Sequence, residues 1–303
     1  MTADSRTTVV VITHNRRELL LGTLDRLAAL PERPPVVVVD NASTDGTPRA
    51  VAERHPGVTV LRQGRNLGAQ GRNAGVRRAR TPYVAFSDDD SWWEPGALAR
   101  AADLLDQHPR LGLVAARVRV GPDGAPDPLN ALLAASPLDG AADLPGRPVL
   151  GFLACAAVAR REAYLEAGGY HPIFFVGGEE TLLAYDLAAR GWGVCHAPEV
   201  VAVHSPAGGA RPGRAAVQLR NAALTAWLRR PLAVALRRTR SIAVRARRDP
   251  EARAALRDLL GRLPVALRDR RPLPARVEEA ARRLDLQEPA ARAGRARHRA
   301  GRP

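Results

Sequence analysis

The feature that most constrains the fold is a repeated alternation. Short, continuous apolar runs rich in β-branched residues are each followed by a segment of helical period. Thr8-Val9-Val10-Val11-Ile12-Thr13 is the first such run. A strand covered on one face alternates apolar with polar residues, so a run without polar gaps reads as a strand covered on both. Asn15, with Glu18 three residues on, has capping-box spacing, and Leu20, Leu24 and Leu27 then fall on one helix face. Val36 to Val39 is a second buried strand, ending in Asp40. Thr47-Pro48 has the form of an N-cap followed by proline at the first helical position, opening a helix to about His55. Val58 to Leu61 as a strand, Ala69 to Arg80 as a helix and Tyr83 to Phe86 as a strand extend the pattern. Strands alternating with helices predict an α/β fold built on a mostly parallel sheet flanked by helices. Such sheets bind ligands beyond the carboxyl ends of their strands. Three polar clusters stand there: Thr13-His14-Asn15, Asp40-Asn41 and Asp88-Asp89-Asp90.

Further on, Val114 to Val120 is a strand, and residues 121–150 form a long excursion rich in Gly, Pro and Asp. Long loops in compact domains are commonly functional. Gly151 to Ala159 reads as an apolar strand, and Thr181 to Arg190 as a helix opened by Glu179-Glu180, acidic residues that suit a helix N-terminus. Trp192 to His204 gives two short strands split by Pro198. Beyond Ser205 come arginine-rich helical segments broken by Pro231, Pro250, Pro264, Pro272 and Pro274. The expected organisation is a domain over 1–205, with halves 7–120 and 121–205. A basic helical appendage over 206–303 follows, its end disordered after about Glu288.

The charge follows this division. Residues 1–205 hold 21 Arg against 23 Asp and Glu, a balance of −2, whereas residues 206–303 hold 25 Arg against 8, a balance of +17. The basic character belongs to the tail and says nothing about nucleic acid binding by the domain. The 2 cysteines, Cys155 and Cys195, form no C-x-x-C pair and read as buried thiols in a reducing compartment. No signal-like segment precedes Val9, and no apolar stretch approaches the roughly 18 residues of a membrane span. The expected location is cytoplasmic, with peripheral attachment to the inner membrane face as an option.

Three adjacent carboxylates after a buried strand repel one another, and a divalent cation relieves that repulsion, since Mg²⁺ and Mn²⁺ prefer oxygen ligands. The competing reading is an acidic N-cap for a helix near Pro95. The company of the motif bears on the choice. Val-Val-Val-Ile-Thr-His-Asn-Arg comes first, then Val-Val-Asp40-Asn-Ala-Ser-Thr-Asp-Gly-Thr. Arg65-Asn66-Leu67-Gly68, Gly71-Arg72-Asn73-Ala74-Gly75 and Ser87-Asp-Asp-Asp follow in order. This series resembles glycosyltransferase family 2, and Gly178-Glu179-Glu180, Gly191-Trp192, Pro198 and His204 resemble that family's acceptor half. The resemblance covers roughly residues 7–205 and implies the family's GT-A fold.

By position, the resemblance implies that Thr13 and Asn15 line a nucleoside pocket and that Asp40 accepts a hydrogen bond from the base. Arg72 would lie against base or diphosphate. Asp88 and Asp90 match the outer members of the family's D-x-D, with Asp89 between them among the donor-binding residues. Asp90 would touch a Mn²⁺ or Mg²⁺ ion most directly, Asp88 would act through ribose or water, and His204 matches a histidine that in some relatives adds a metal ligand. The plainer reading of His204 is a satisfied histidine at a strand end. Inverting displacement needs a base for the acceptor hydroxyl. Glu180 stands at the position of the family's Asp, one methylene longer, with Glu179 next in line. Both also suit a helix N-terminus as simple favourable charges. The processive members' Gln-x-x-Arg-Trp is not matched by Gln218-Leu219-Arg220-Asn221, so one sugar per encounter is expected. The implied partners are a nucleoside-diphosphate sugar and an unnamed acceptor, lipid-linked if the enzyme works in cell-surface glycan or glycolipid assembly.

Other classes are weaker. No G-x-G-x-x-G follows the first strand, which excludes a dinucleotide-binding Rossmann domain. Thr13-His14-Asn15-Arg16-Arg17 has no glycine for the phosphate loop of a nucleotidyltransferase. The tail has only Trp227 among its arginines, against nucleic acid binding. A non-catalytic partner subunit would have no need of the intact acidic run. For the tail itself, Arg229-Arg230, Arg237-Arg238 and Arg247-Arg248 flank apolar stretches, which suits an anionic membrane surface or, equally, a solvated helical appendage.

Overall fold

The computed structural model describes residues 4, 6–121, 123–206 and 213–286. Its centre is one mixed sheet. β1 (Thr7–Thr13), β2 (Val36–Asp40), β3 (Thr59–Arg62) and β4 (Tyr83–Asp88) pair in parallel in the order β3-β2-β1-β4. Between them run α1 (Arg17–Ala28), α2 (Thr47–Arg54) and α3 (Arg72–Arg78). β1 shows why its sequence lacks polar gaps. Val9 and Val11 enter the core under α1, with Leu20, Leu24 and Leu27, while Val10 enters the opposite core with Val39, Val76 and Phe86. Gly75 lets α3 lie flat on β1 and β2, because a Cβ there would come within 2.4 Å of Val10 Cγ1.

The second half joins the sheet through β9 (Ala157–Arg160), which pairs antiparallel with both β4 and β6 (Leu111–Val120). β10 (Gly193–His204) lies parallel to β6, and β5 (Ser91–Trp93) closes the edge antiparallel to β10. Parallel pairing thus dominates the first half, and the antiparallel seams lie in the second. α4 (Ala97–Gln107) covers one face, and α6 (Arg161–Glu166) and α7 (Glu179–Ala189) the other.

Several local expectations are corrected. Asn15 does not cap α1: its backbone is left-handed, at φ 53°, and its Oδ1 accepts the Thr44 N–H at 2.8 Å. α2 is held at its start by Asp45, whose Oδ1 accepts both the N–H and the hydroxyl of Thr47. The helix expected from Ala69 is a 3-10 turn, Gly68–Gly71, leading into α3. Residues 151–156 are not strand: a 3-10 turn precedes β9. Pro198 does not divide β10, because the register with β6 shifts between Ala197 and Val201 and absorbs the residue without an N–H. The 121–150 excursion carries the short strands β7 (Ala125–Pro126) and β8 (Arg147–Pro148) and a helix, α5 (Pro128–Ala134), capped by Asp127.

The tail is α8 (Arg214–Arg229), α9 (Leu232–Arg245), α10 (Pro250–Arg268) and α11 (275–286). Pro264 lies inside α10 without ending it. These helices are no loose appendage. Ile173, Phe174 and Leu182 of the sheet domain share a core with Leu224, Leu228, Val234 and Leu259. Arg229 closes a buried ion pair with Asp186 of α7, at 2.5 and 3.0 Å. The disorder expected after Glu288 lies outside the described residues.

Candidate active site

The acidic run divides three ways at the carboxyl edge of β4. Asp88 pairs with the Arg72 guanidinium, and its N–H donates to Ser91 Oγ at 2.7 Å. Asp89 is buried: it accepts Thr13 Oγ1 at 3.0 Å and Arg16 Nη1 at 2.8 Å, and its carbonyl accepts Thr23 Oγ1. Burial raises the Asp89 carboxyl to about 6 against the opposing pull of Arg16. Asp90 is also buried, 3.0 Å from Arg16 Nη1 and 3.4 Å from His204 Nε2. Burial works against its charge, but His204 and Arg16 outweigh it and hold Asp90 below its ordinary range. Conversely, Asp90 lifts His204 although burial opposes it. Two arginines and a histidine therefore relieve the mutual repulsion, and Asp89 is used as a tie between β1, α1 and β4.

Arg72 opens α3 and is 2% exposed, its Nε without a partner among the described residues and its guanidinium over the Tyr170 ring at 5.8 Å. Burial works against its charge, but Asp88, Tyr170 and Glu179 outweigh it. Across the site, Gly178 at φ 91° opens α7 directly onto Glu179 and Glu180. Glu179 is buried, with Oε2 unpartnered among the described residues, and Glu180 is half-buried. Burial raises both carboxyls above the ordinary glutamate range; Glu180 raises Glu179 further, while Arg72 pulls both back. Arg72, Asp88 and the two glutamates thus form one electrostatic cluster, joining the two halves of the domain.

The residues expected to line a nucleoside pocket are placed by β1 and β2. Asp40 is fully buried, and both its oxygens accept the Ser43 N–H, at 3.2 and 3.3 Å, shaping the loop that follows β2. Asn15 and His14 are exposed at the rim: Asn15 N–H donates to Ser43 Oγ at 2.9 Å, and His14 Nδ1 lies 2.8 Å from Asn41 O. Thr13 is buried and spent on Asp89.

The profile described as Glycosyl transferase family 2 matches residues 8–168, more than half of the chain. The chain belongs to glycosyltransferase family 2. A Mycobacterium tuberculosis protein named N-acetylglucosaminyl-diphospho-decaprenol L-rhamnosyltransferase is 28% identical over 235 residues, covering 66% of this chain and 76% of that one. Among solved structures, a Pyrobaculum calidifontis mannosyltransferase in complex with GDP-Man and Mn²⁺ is 25% identical, with a TM-score of 0.57, covering 99% of this chain and 81% of its own. Staphylococcus aureus TarS 1–349 in complex with UDP-GlcNAc shares the fold at 20% identity, with a TM-score of 0.55 over 85% of this chain and 72% of that one. The mixed sheet described above is therefore the GT-A fold of a nucleotide-sugar-dependent glycosyltransferase.

In this family-2 glycosyltransferase the ligand atoms of Asp88, Cys155 and His204 lie within 4.8 Å of one another. An oxygen and an imidazole nitrogen this close suit a divalent cation, with Asp90 next to His204 at 3.4 Å. The Asp88 oxygen and the His204 nitrogen therefore fit the ion that the family resemblance implies, whereas the Cys155 thiol, pushed up by burial, does not. Cys155, read from sequence as a plain buried thiol, stands beside the site, and no sequence pattern marked it. Arg16 was missed too, although its place just past β1 was a signal. Asn73 is a third: its Oδ1 accepts Tyr164 Oη and the Tyr170 N–H, tying α3 to the loop before α7.

Proposed function

We propose that this glycosyltransferase moves one sugar from a nucleoside diphosphate to an acceptor hydroxyl by inverting displacement, with Glu180 as the base. The observation that carries the reading is the electrostatic cluster of Glu179, Glu180, Arg72 and Asp88. It joins a candidate base at an α-helix N-terminus to the acidic run that serves the donor. As the acceptor oxygen bonds to the anomeric carbon, the bond from that carbon to the diphosphate oxygen breaks and the hydroxyl proton passes to Glu180. Raised above the ordinary glutamate range, Glu180 is a stronger base than an exposed carboxylate. Glu179, deeper and also raised, serves as its positioning neighbour.

Asp88, Asp90 and His204 would hold Mn²⁺ or Mg²⁺, which when bound supplies Lewis-acid stabilisation of the leaving diphosphate. Arg72 sets the Asp88 carboxylate. Thr13, Asn15 and Asp40 frame the nucleoside, with Asp40 and Asp89 acting through the loops they hold. The name of the Mycobacterium tuberculosis relative, a diphospho-decaprenol glycosyltransferase, supports a lipid-linked acceptor and a place in cell-surface glycan assembly.

Attachment to an anionic membrane face is part of the reading. No helix among the described residues is long and apolar enough to cross a membrane. Yet α9 exposes Leu232, Leu236 and Val244 together with Arg237, Arg240, Arg245, Arg247 and Arg248 at and just past its end. Basic amphipathic helices of this composition lie in the interface. A thermal-shift panel of UDP-, GDP- and dTDP-sugars tests the donor and metal parts, because a ligand that binds only the native state raises its melting temperature. One nucleotide class should stabilise in Mn²⁺ and lose its effect in chelator. Stabilisation unchanged by chelator would overturn the metal assignment, and none by any nucleotide would overturn the donor assignment.

A further inference from the structure

A cavity of about 660 Å³ lies between α5, the segment 149–151, the first turns of α7, and α8. That is the size of a small-molecule site. Gly177, Gly178 and Thr181, the residues on either side of Glu179 and Glu180, are part of its lining. Its lining is more apolar than polar, with Leu129, Leu132 and Leu133 from α5 and Leu150, Ala222 and Leu284 supplying hydrocarbon.

Polar residues are also present on the wall; Ser136, Asn221, Arg230 and Arg238 are committed to the protein itself, which leaves the side chains of Thr181, Gln218 and Thr225 as its polar spots. Ser136 Oγ donates to Pro148 O at 2.6 Å. Asn221 Nδ2 donates to the carbonyls of Val176 and Gly177, and its Oδ1 accepts Arg220 Nε. Arg230 is paired with Glu278 and Asp285, and Arg238 with Asp285 and the Ala222 carbonyl. A sugar or peptide would need free donors and acceptors on these walls. An aliphatic chain would not, and it gains from leaving water.

We propose that this cavity receives the aliphatic chain of the acceptor, so that the acceptor's hydroxyl end reaches Glu180 past Gly177 and Gly178. The inference rests on the lipid-linked acceptor reading above. The rim supports a lipid in particular. Arg238 lines the cavity and belongs to α9, whose outer face exposes the leucines and arginines suited to a bilayer surface, and Leu132 is itself 39% exposed. A chain leaving the interface beside α9 would thus pass from one apolar setting into another.

The test uses the full chain, farnesyl diphosphate as probe and inorganic diphosphate as control, with binding read by calorimetry. Farnesyl diphosphate should bind and inorganic diphosphate should not, and UDP or GDP with Mn²⁺ should not displace the probe. Ala222→Trp, which fills the cavity from an exposed position on α8, should weaken the probe at least about tenfold, as should Leu132→Asp. Nucleotide binding in Mn²⁺ should be unchanged in both variants. Equal probe affinity in wild type and both variants would overturn the proposal, as would displacement by nucleotide or equal binding of bare diphosphate. Nucleotide binding without probe binding would sink the cavity assignment alone. Probe binding without nucleotide binding would sustain the cavity and sink the donor reading beneath it.

Discussion

The proposed mechanism rests on two single residues, Glu180 as base and Glu179 beside it. General bases contribute roughly 10²–10⁴ in rate. Glu180→Gln should lower kcat by about that factor with the nucleotide dissociation constant unchanged, and Glu180→Asp should recover part of it. The base acts only as a carboxylate, and burial raises its pKa. Activity should therefore fall as pH drops through a limb above the ordinary glutamate range, a limb that belongs to the coupled pair. A pH–rate profile with its acid limb at the pKa of an exposed glutamate would contradict this. Asp88 and Asp90 should each bear on both metal-dependent binding and stability. Asp88 is the counter-ion of the buried Arg72, and Asp90 is buried against Arg16 and His204, so Asp88→Asn and Asp90→Ala should each lose Mn²⁺-dependent nucleotide binding and cost about 1–3 kcal/mol in stability. A wild-type melting temperature for either variant would show that its ion-pair contacts contribute nothing. The family's motif series was legible because order and spacing survive in one dimension. The partners were not, since Arg16 meets Asp89 across 73 positions of sequence and Cys155 meets Asp88 only through β9 and β4.

Elements were legible where burial is two-sided and failed where backbone chemistry decides. β1 and β2 read correctly because every apolar residue of each run packs into one core or the other. Pro198 suggested a break in β10, but a strand can absorb a proline at an irregularity, and the register with β6 shows one. Asn15 had capping chemistry and a glutamate at the right spacing. The loop after β2 offered its side chain a better donor in Thr44, and the helix started two residues later. The glycine-rich segment before β4 carries meaning only in three dimensions. Gly75→Ala would set a methyl against Val10 and Val39, so it should destabilise by about 1–3 kcal/mol, read as a lowered denaturant midpoint. An unchanged midpoint would mean that α3 can shift outward at no cost.

At the scale of the molecule, the charge split was visible in the sequence but its use was not. Arg229 and Arg230 are buried and paired within the fold, so they cannot face a bilayer, contrary to what their place in the arginine pairs suggested. Of the exposed arginines of α9 and the turn after it, Arg245 is paired with Asp249, which leaves Arg237, Arg240, Arg247 and Arg248. Each arginine near an anionic surface is worth about 1 kcal/mol, and salt screens the attraction within about 8–10 Å. Replacing these four with glutamate should abolish sedimentation with phosphatidylserine vesicles at low salt and leave donor hydrolysis intact. Wild-type protein that ignores such vesicles would leave the arginines as a solvated surface. The Arg229–Asp186 pair has a consequence of another kind. Because α7 carries the candidate base and shares its core with α8, α9 and α10, heat should not melt the basic helices ahead of the sheet. Scanning calorimetry should record a single endotherm whose van't Hoff and calorimetric enthalpies agree. Two peaks would mean that the catalytic half keeps its shape after the tail has let go.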